Sequence, residues 1–247
     1  MLDERNKTIF VAGASGAIGR RLCRLLVGDG WSVIGTTRSA EKASSLRAIG
    51  VEPVIVDVFD EELLRSAFRV ARPDVVVHQL TDLPLALNPA KMPEAKIRNA
   101  RIREIGTRNL VAAAVATGVK RMVAQSIAFA YAPGPIPHRE DSPLNLSDPD
   151  FGLTARAVAS LEAQVLGAPF EGIILRYGKL YGPGTGFDKP PTGGPVHVDA
   201  AADAARRAIN RGEAGVYNVA EEDGTVSSDK AVEILGWKPD FRIDNAR

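Results

Sequence analysis

The chain has few of the residues from which disulfides and metal sites are built. Its 247 residues include one cysteine, Cys23, so an internal disulfide is excluded. The three histidines and that cysteine show no metal-ligand spacing, and we expect no metal site. Long apolar runs are lacking as well, because none approaches the ~20 residues that cross a membrane as a helix.

Charge of either sign is not in excess. Lys and Arg number 31 and Asp and Glu number 30, which gives a formal net charge of +1 at pH 7. Nucleic acids and anionic membranes attract strongly basic chains, so this balance predicts neither as a partner. Residues 1–5 are polar and lack the apolar core of a signal peptide. We therefore expect a cytoplasmic protein.

Short apolar runs alternate with segments of helical spacing along the chain. Strands are predicted near residues 8–12, 31–36, 53–57, 75–79, 121–126, 172–178 and 216–219. Helices are predicted near residues 18–28, 40–48, 60–70, 94–117, 155–167, 200–211 and 228–235. Such alternation is typical of an α/β fold with a doubly wound parallel sheet.

A glycine-rich turn joins the first predicted strand to the first predicted helix. Its glycines have the spacing GxxGxxG and lead directly into the helical pattern. Glycine permits a tight turn and a close approach of backbone to phosphate, and a helix N-terminus directs free N–H groups at an anion. The turn therefore predicts a dinucleotide site, with these expected contacts: Gly13, Ser15, Gly16, Ala17, Ile18 and Gly19.

The end of the second predicted strand bears on the choice of cofactor. An NAD site places Asp or Glu there, whereas this strand ends with Thr37 and Arg38. The missing carboxylate removes repulsion against a 2′-phosphate, and Arg38 can pair with that phosphate in a forked contact. We expect NADP. The alternative is NAD, with Arg38 as a loop cation and Glu41 on the ribose.

Further motifs together resemble the short-chain dehydrogenase/reductase superfamily, in its extended epimerase/dehydratase branch. Besides the glycine turn, they are the segments 54–58, 75–81, 106–110, 121–126, 175–184, 196–199 and 216–219. The resemblance implies a Rossmann-like dinucleotide-binding domain over residues 1–179. It also implies a small, reduced C-terminal substrate-binding lobe over residues 180–247, with segments that return to the core sheet. Relatives of this kind pair through two of their helices, so a homodimer is implied as well.

The resemblance also implies which residues surround the cofactor. Asp57 stands where the family's carboxylate meets the adenine, and Val58 follows it. Leu80 and Thr81 stand where the chain passes the nicotinamide ribose. Arg103 replaces the family's usual Asn, and we expect it at the cofactor or on an anionic substrate. The alternative for Arg103 is a side chain that reaches solvent.

The family's Tyr-x-x-x-Lys pair is missing from this chain. Aligning Glu162 with the family's usual Glu puts Thr154 at the Tyr position and Val158 at the Lys position. In the family, the phenol of pKa ~10 is active because the neighbouring ammonium lowers its pKa. Neither Thr nor Val can supply that chemistry.

Other residues are expected to act in place of the missing pair. Ser126 stands where the family carries its catalytic Ser or Thr, and Lys179 replaces a second usual Asn. We expect both as catalytic groups, with Lys179 transferring protons or, alternatively, holding an anionic substrate. The expected substrate contacts are Tyr131, Tyr177 and Tyr181. The alternatives are backbone capping by Ser126, a solvent-exposed lysine and tyrosines that only pack.

These residues predict an atypical NAD(P)-binding protein of the short-chain dehydrogenase/reductase kind. The first hypothesis is an epimerase/dehydratase- or reductase-type enzyme that acts on a small-molecule substrate. The second hypothesis is a catalytically silent NADP-binding sensor or regulatory protein. The lost Tyr-x-x-x-Lys pair favours the second, whereas the retained Ser126 favours the first.

Overall fold

The computed structural model describes residues 7–243, and the strands of this part form one large and one small sheet. In chain order the strands are β1 (Thr8–Ala12), β2 (Ser32–Thr37), β3 (Glu52–Ile55), β4 (Val75–His78), β5 (Arg121–Ile127), β6 (Glu171–Tyr177), β7 (Lys179–Tyr181), β8 (Pro195–His197) and β9 (Gly215–Val219). The large sheet is parallel and has the order β3-β2-β1-β4-β5-β6-β9. Strands β7 and β8 pair in parallel as a separate ribbon.

Seven α-helices connect the strands within residues 7–243. They are α1 (Ala17–Gly28), α2 (Ala40–Arg47), α3 (Glu61–Ala71), α4 (Met92–Arg101), α5 (Thr107–Ala116), α6 (Gly152–Leu166) and α7 (Val198–Ala208). Short 3₁₀ turns cover Leu85–Leu87 and Pro89–Lys91. Single π-helical turns cover Ile102–Gly106 and Ala231–Leu235.

Both faces of the sheet are buried, as the near-continuous apolar strands predict. Successive side chains of a strand point to opposite faces, so Ile9 and Val11 pack on one side while Phe10 and Ala12 pack on the other. Helices α1 and α7 cover the first side. Helices α3, α5 and α6 cover the second. The predicted doubly wound α/β fold is therefore confirmed.

Three local predictions differ from the structure. The helix predicted over 94–117 is divided into α4 and α5 by the π turn, because packing introduces one wider turn into a sequence that reads as continuously helical. The helix predicted over 228–235 is only the π turn Ala231–Leu235. The β7–β8 ribbon was not predicted, because each strand has only three residues and a loop separates them.

The order of the strands indicates where a ligand would bind. From β1 the chain moves outward to β2 and β3, and then returns to β4 on the other side of β1. In open α/β sheets, ligands bind beyond the carboxyl ends of the strands at such a reversal of direction. The division predicted at residue 179 stays a prediction, and both α7 and β9 pack with the main sheet. No helix of residues 7–243 is long and apolar enough to cross a membrane.

Candidate active site

The glycine turn lies at the reversal point and is shaped by its first glycine. Gly13 has a φ of +88°, and a β-carbon there would lie 2.6 Å from the carbonyl oxygen of Gln79. Only glycine fits both constraints. The N–H of Gly16 donates to the Gly13 carbonyl over 3.0 Å and closes the turn. The turn is thereby placed against the end of β4.

Gly16 and Gly19 lack side chains for different reasons. A β-carbon at Gly19 would overlap the Gly13 carbonyl, so Gly19 allows α1 to pack on the turn. Gly16 has ordinary backbone angles, φ −76° and ψ 178°, and a β-carbon there would meet only the Gly13 oxygen, at 3.3 Å. Packing therefore does not require glycine at position 16. Its missing side chain leaves space in front of the α1 N-terminus, where no side chain caps the helix.

Hydroxyl groups of β2 hold the turn in place. The N–H of Gly13 donates to Oγ1 of Thr36 over 3.1 Å, and the Ser15 hydroxyl lies 3.4 Å from Oγ1 of Thr37. Thr37 also accepts from the backbone N–H of Ser39. The predicted contacts Ser15 and Thr37 are therefore next to each other beside the α1 N-terminus, together with Ala17 and Ile18 in its first turn.

The cation predicted to bind a 2′-phosphate lies beyond β2. The side chain of Arg38 is 56% exposed, and its Nη1 is 3.6 Å from Oδ2 of Asp82. Arg98 approaches the same carboxylate, with 3.4 Å from its Nε. An exposed guanidinium in a loose ion pair is available to a phosphate, so the geometry is compatible with the predicted role.

The loops after β3 and β4 complete the edge of the predicted cofactor site. Oδ1 of Asp57 accepts from the N–H of Phe59 over 3.0 Å, and the buried Val58 accepts at its carbonyl from Asn109. Leu80 donates its N–H to Nδ1 of His78 and accepts at its carbonyl from Gln125. These bonds fix the backbone beside the positions expected to meet adenine and ribose. The next residue, Thr81, is exposed.

His78 is a neutral histidine at the end of β4. Its Nδ1 accepts from Leu80, so its Nε2 carries the proton and donates to Oγ1 of Thr107 over 3.0 Å. Burial, and then the nearby charge of Arg103, lower the pKa of His78 to about 3. His78 therefore fastens α5 to the sheet without adding charge.

Arg103 is a buried cation in the π turn between α4 and α5. The residue is 9% exposed, and it makes no hydrogen bond or ion pair with another residue of the described range 7–243. Burial lowers the pKa of its guanidinium to about 10, an effect that the negative charge of Glu162 partly offsets. The side chain thus remains a cation at neutral pH.

Ser126 belongs to a buried polar network on the α6 side of the sheet. Its hydroxyl donates to Oε1 of Glu162 over 2.6 Å. Arg176 binds both oxygens of that carboxylate, with 2.9 Å from Nε and 2.7 Å from Nη2. Burial acts to lower the pKa of Arg176, and the bonds to Glu162 outweigh it, so the pKa is raised. The network continues through Tyr131, which accepts from Arg176 and donates to Asn218.

The sequence did not predict the Glu162–Arg176 ion pair. Ser126 and Arg176 lie opposite each other in the register of β5 and β6. An arginine within the apolar strand Glu171–Tyr177 was the available signal, since buried arginines require partners. The position of Glu162 served only to align the chain with the family.

The other predicted catalytic and substrate residues bond to different parts of the chain. Lys179 donates from Nζ to the carbonyl of Thr192 over 2.8 Å. Tyr177 is buried and accepts from Gln79, and burial raises its pKa. Tyr181 donates to Glu221 in the β7–β8 region. Their predicted roles, and those of Ser126 and Tyr131, stay predictions.

Thr154 and Val158, which the family resemblance predicts at the positions of the missing pair, both lie in α6. Val158 is fully buried within α6, and Thr154 in the first turn of that helix is 9% exposed. Ser126 and Lys179 are not joined by a hydrogen bond within the described chain, and Lys179 bonds to the loop before β8. The site therefore combines a shaped dinucleotide turn with an unusual set of polar groups.

Comparison with known proteins identifies the family. A model of the NAD dependent epimerase/dehydratase family matches residues 9–198. The chain belongs to this family. The resemblance inferred from the sequence motifs is thus confirmed.

Two curated relatives are reductases. The chain is 41% identical over 237 residues to the 3-diazoavenalumate denitrifying reductase of a Streptomyces species, a match over 87% of this chain and 76% of the relative. It is 34% identical over 114 residues to 4-hydroxy-2-methyl-3-oxo-4-farnesyl-3,4-dihydroquinoline-1-oxide ketoreductase of Stigmatella aurantiaca. That match covers 46% of this chain and 31% of the relative.

Two solved structures have a similar fold. The UDP-glucose 4-epimerase of Thermotoga maritima, solved with UDP-glucose, has a TM-score of 0.76 at 20% identity over 95% of this chain and 94% of its own. WbmG of Bordetella bronchiseptica, solved with NAD, has a TM-score of 0.74 at 18% identity over 98% of this chain and 92% of its own. At these identities the likeness shows the fold alone.

Proposed function

We propose that this protein is an NAD(P)H-dependent reductase that replaces the diazonium group of a small aromatic carboxylate with hydrogen. The proposal is carried by the 41% identity to a denitrifying reductase of a diazo carboxylate. Thr154 and the buried Val158, at the positions that the resemblance assigns to the proton-donating pair, are consistent with it.

Reduction of a carbonyl group needs a proton donor, whereas reduction of an aryl diazonium ion does not. The missing pair therefore bears on the choice between these two substrate classes. Hydride addition to a carbonyl carbon produces an oxyanion, so a positioned proton donor contributes strongly to carbonyl reduction. Hydride addition to the terminal nitrogen of an aryl diazonium ion instead neutralises a cation and forms an N–H bond. As the ring–nitrogen bond then breaks and N₂ leaves, the N–H proton passes to water, and the electron pair left on the ring carbon takes up a proton from water. The balance is Ar–N₂⁺ + NADPH → Ar–H + N₂ + NADP⁺, and the protein supplies no proton.

The glycine turn and its neighbours fit a nicotinamide dinucleotide. When bound, the cofactor supplies the hydride. The space in front of Gly16 and the uncapped α1 N-terminus suit the pyrophosphate. Arg38 suits the 2′-phosphate of NADP, which is our preferred cofactor. Asp57 suits the adenine side and Leu80 the ribose side of the same molecule.

The remaining polar groups are assigned within this proposal. If the protein also reduces carbonyl groups, Ser126 and Lys179 are the candidates for proton transfer. A silent NADP-binding sensor is the second outcome, and the absent Tyr-x-x-x-Lys pair is the observation that favours it. A reductase would turn over a substrate and a sensor would not, whereas both would bind NADP.

The test measures the protein-dependent oxidation of NADPH with two candidate substrates, 4-carboxybenzenediazonium and 4-(2-carboxyvinyl)benzenediazonium. We expect protein-dependent release of one N₂ and one benzoate or cinnamate for each NADPH consumed. The background rate of diazonium reduction is measured with the Gly16→Val variant, which should bind NADPH poorly. Turnover of a panel of ketones and aldehydes is measured in parallel. Tight NADPH binding without diazonium turnover above that background would favour the sensor, whereas carbonyl turnover alone would favour a carbonyl reductase.

A further inference from the structure

Arg103 is buried like a structural arginine but lacks a structural arginine's partners. Arg176, the other arginine buried in the described chain at less than a tenth exposed, binds Glu162 through two nitrogens and Tyr131 through a third. Arg103 has the same five N–H donors and is 9% exposed, yet it donates to no residue within 7–243. A buried, unpaired charged donor is costly, so its persistence points to a ligand.

The fold directs Arg103 toward the ligand edge of the sheet. Thr107, four residues later, contacts His78 at the carboxyl end of β4. Helix α5 runs from there to the opposite edge, where Lys120 donates to Asp74 just before β4. Arg103 therefore lies about one turn beyond the end of the strand. It also lies in a π turn, a feature that is frequent at functional sites.

The charges nearby leave Arg103 uncompensated. His78 is neutral, as its hydrogen bonds show. Glu162 is the nearby carboxylate, but its oxygens are occupied by Arg176 and Ser126. One carboxylate between two guanidinium groups leaves a net positive charge. An anion from outside the chain would complete this cluster.

We propose that Arg103 binds the carboxylate of the substrate. The choice of a carboxylate rests on the proposed function, whereas the need for an anion rests on the geometry of Arg103. A cofactor phosphate is the less suitable anion, because the phosphate positions are served by the α1 N-terminus and by Arg38 on the β1–β2 side of the reversal point. Arg103 lies on the β4–β5 side, from which it binds the negatively charged carboxylate of the substrate.

The experiment measures binding of trans-cinnamate and trans-cinnamamide to the NADP⁺-loaded protein by calorimetry. The two probes have similar shape and differ in charge. The wild type should bind cinnamate at least tenfold more tightly than cinnamamide. Arg103→Met should bind both equally, and Arg103→Lys should recover part of the preference. Arg108→Met is the matched control, since Arg108 lies on the same helical segment with a side chain 63% exposed, and it should behave as wild type.

Cofactor affinity separates the substrate role from a cofactor role. NADPH should bind Arg103→Met within about threefold of its wild-type dissociation constant, and thermal unfolding confirms that the variant folds. A preference for cinnamate that survives in Arg103→Met, or is missing from the wild type, would overturn the proposal. Loss of NADPH affinity together with a retained cinnamate preference would assign Arg103 to the cofactor. If the protein does not reduce diazonium ions but the cinnamate preference is lost in Arg103→Met, the proposed reaction is rejected and the anion site at Arg103 is retained.

Discussion

Replacing Gly16 by valine should separate cofactor binding from folding. The φ of −76° and ψ of 178° at this position lie in the extended region that β-branched residues adopt readily. A β-carbon would meet only the Gly13 oxygen at 3.3 Å, which a small shift relieves. The valine methyl groups would fill the space in front of the α1 N-terminus. The fold should therefore persist while the pyrophosphate is excluded.

The expected loss of affinity follows from the hydrogen bonds at the helix N-terminus. A hydrogen bond to a charged group contributes about 1.5–3 kcal/mol. Exclusion of phosphate from two N–H groups thus removes about 3–6 kcal/mol, or roughly a hundred- to ten-thousandfold in the dissociation constant. Calorimetric titration with NADPH measures this loss, and thermal unfolding measures the stability of the variant.

Two other glycines provide the comparisons. Gly28 ends α1 with no atom near its missing side chain, so Gly28→Val should leave both NADPH affinity and folding unchanged. Gly13→Val should instead damage folding, since Gly13 has a φ of +88° and a β-carbon there would press on the Gln79 carbonyl. A folded Gly16→Val protein with wild-type NADPH affinity would refute the assignment of the turn to the cofactor.

Three further changes test the remaining parts of the site. Arg38→Ala should reduce a preference for NADPH over NADH by roughly ten- to a hundredfold, as loss of a charged hydrogen bond implies, and paired titrations would show no change if Arg38 is only a loop cation. Because burial and Arg103 hold the pKa of His78 near 3, a proton binds to this histidine in the unfolded but not in the folded chain between about pH 6.5 and pH 3. The free energy of unfolding should fall by up to ~1.4 kcal/mol per pH unit from pH 6.5 toward pH 3, and urea unfolding of His78→Gln should lack that component. Glu162→Gln leaves the charge of Arg176 buried without a counterion and should cost roughly 3–5 kcal/mol in urea unfolding, while a cost below about 1 kcal/mol would contradict the ion pair's role.

The main sheet was predictable because its strands are short apolar runs separated by helical patterns. The glycine turn was predictable for a local reason, since its spacing and its position between strand and helix are both visible in the sequence. The β7–β8 ribbon depends on pairing across a long loop, which three-residue strands do not signal. The π turn before Thr107 depends on packing, because apart from Gly106 nothing in the local sequence distinguishes it from a continuous α-helix.

The candidate site was predictable only in part. The position of Ser126 could be inferred from the family, but its bond to Glu162 and the opposing Arg176 arise from the register of β5 and β6. Arg103 was singled out because it departs from the family's Asn. Its burial without a partner is a three-dimensional property that no local pattern expresses.

We expect hydride transfer to the diazonium group to proceed here without a proton from the protein. This is measured by single-turnover oxidation of NADPH and of [4,4-²H₂]NADPH by 4-carboxybenzenediazonium, each in H₂O and in D₂O. We predict a clear slowing with the deuterated cofactor and a solvent isotope effect near one. A rate that falls in D₂O, and that falls further in Lys179→Met or Ser126→Ala, would instead assign proton transfer to the protein.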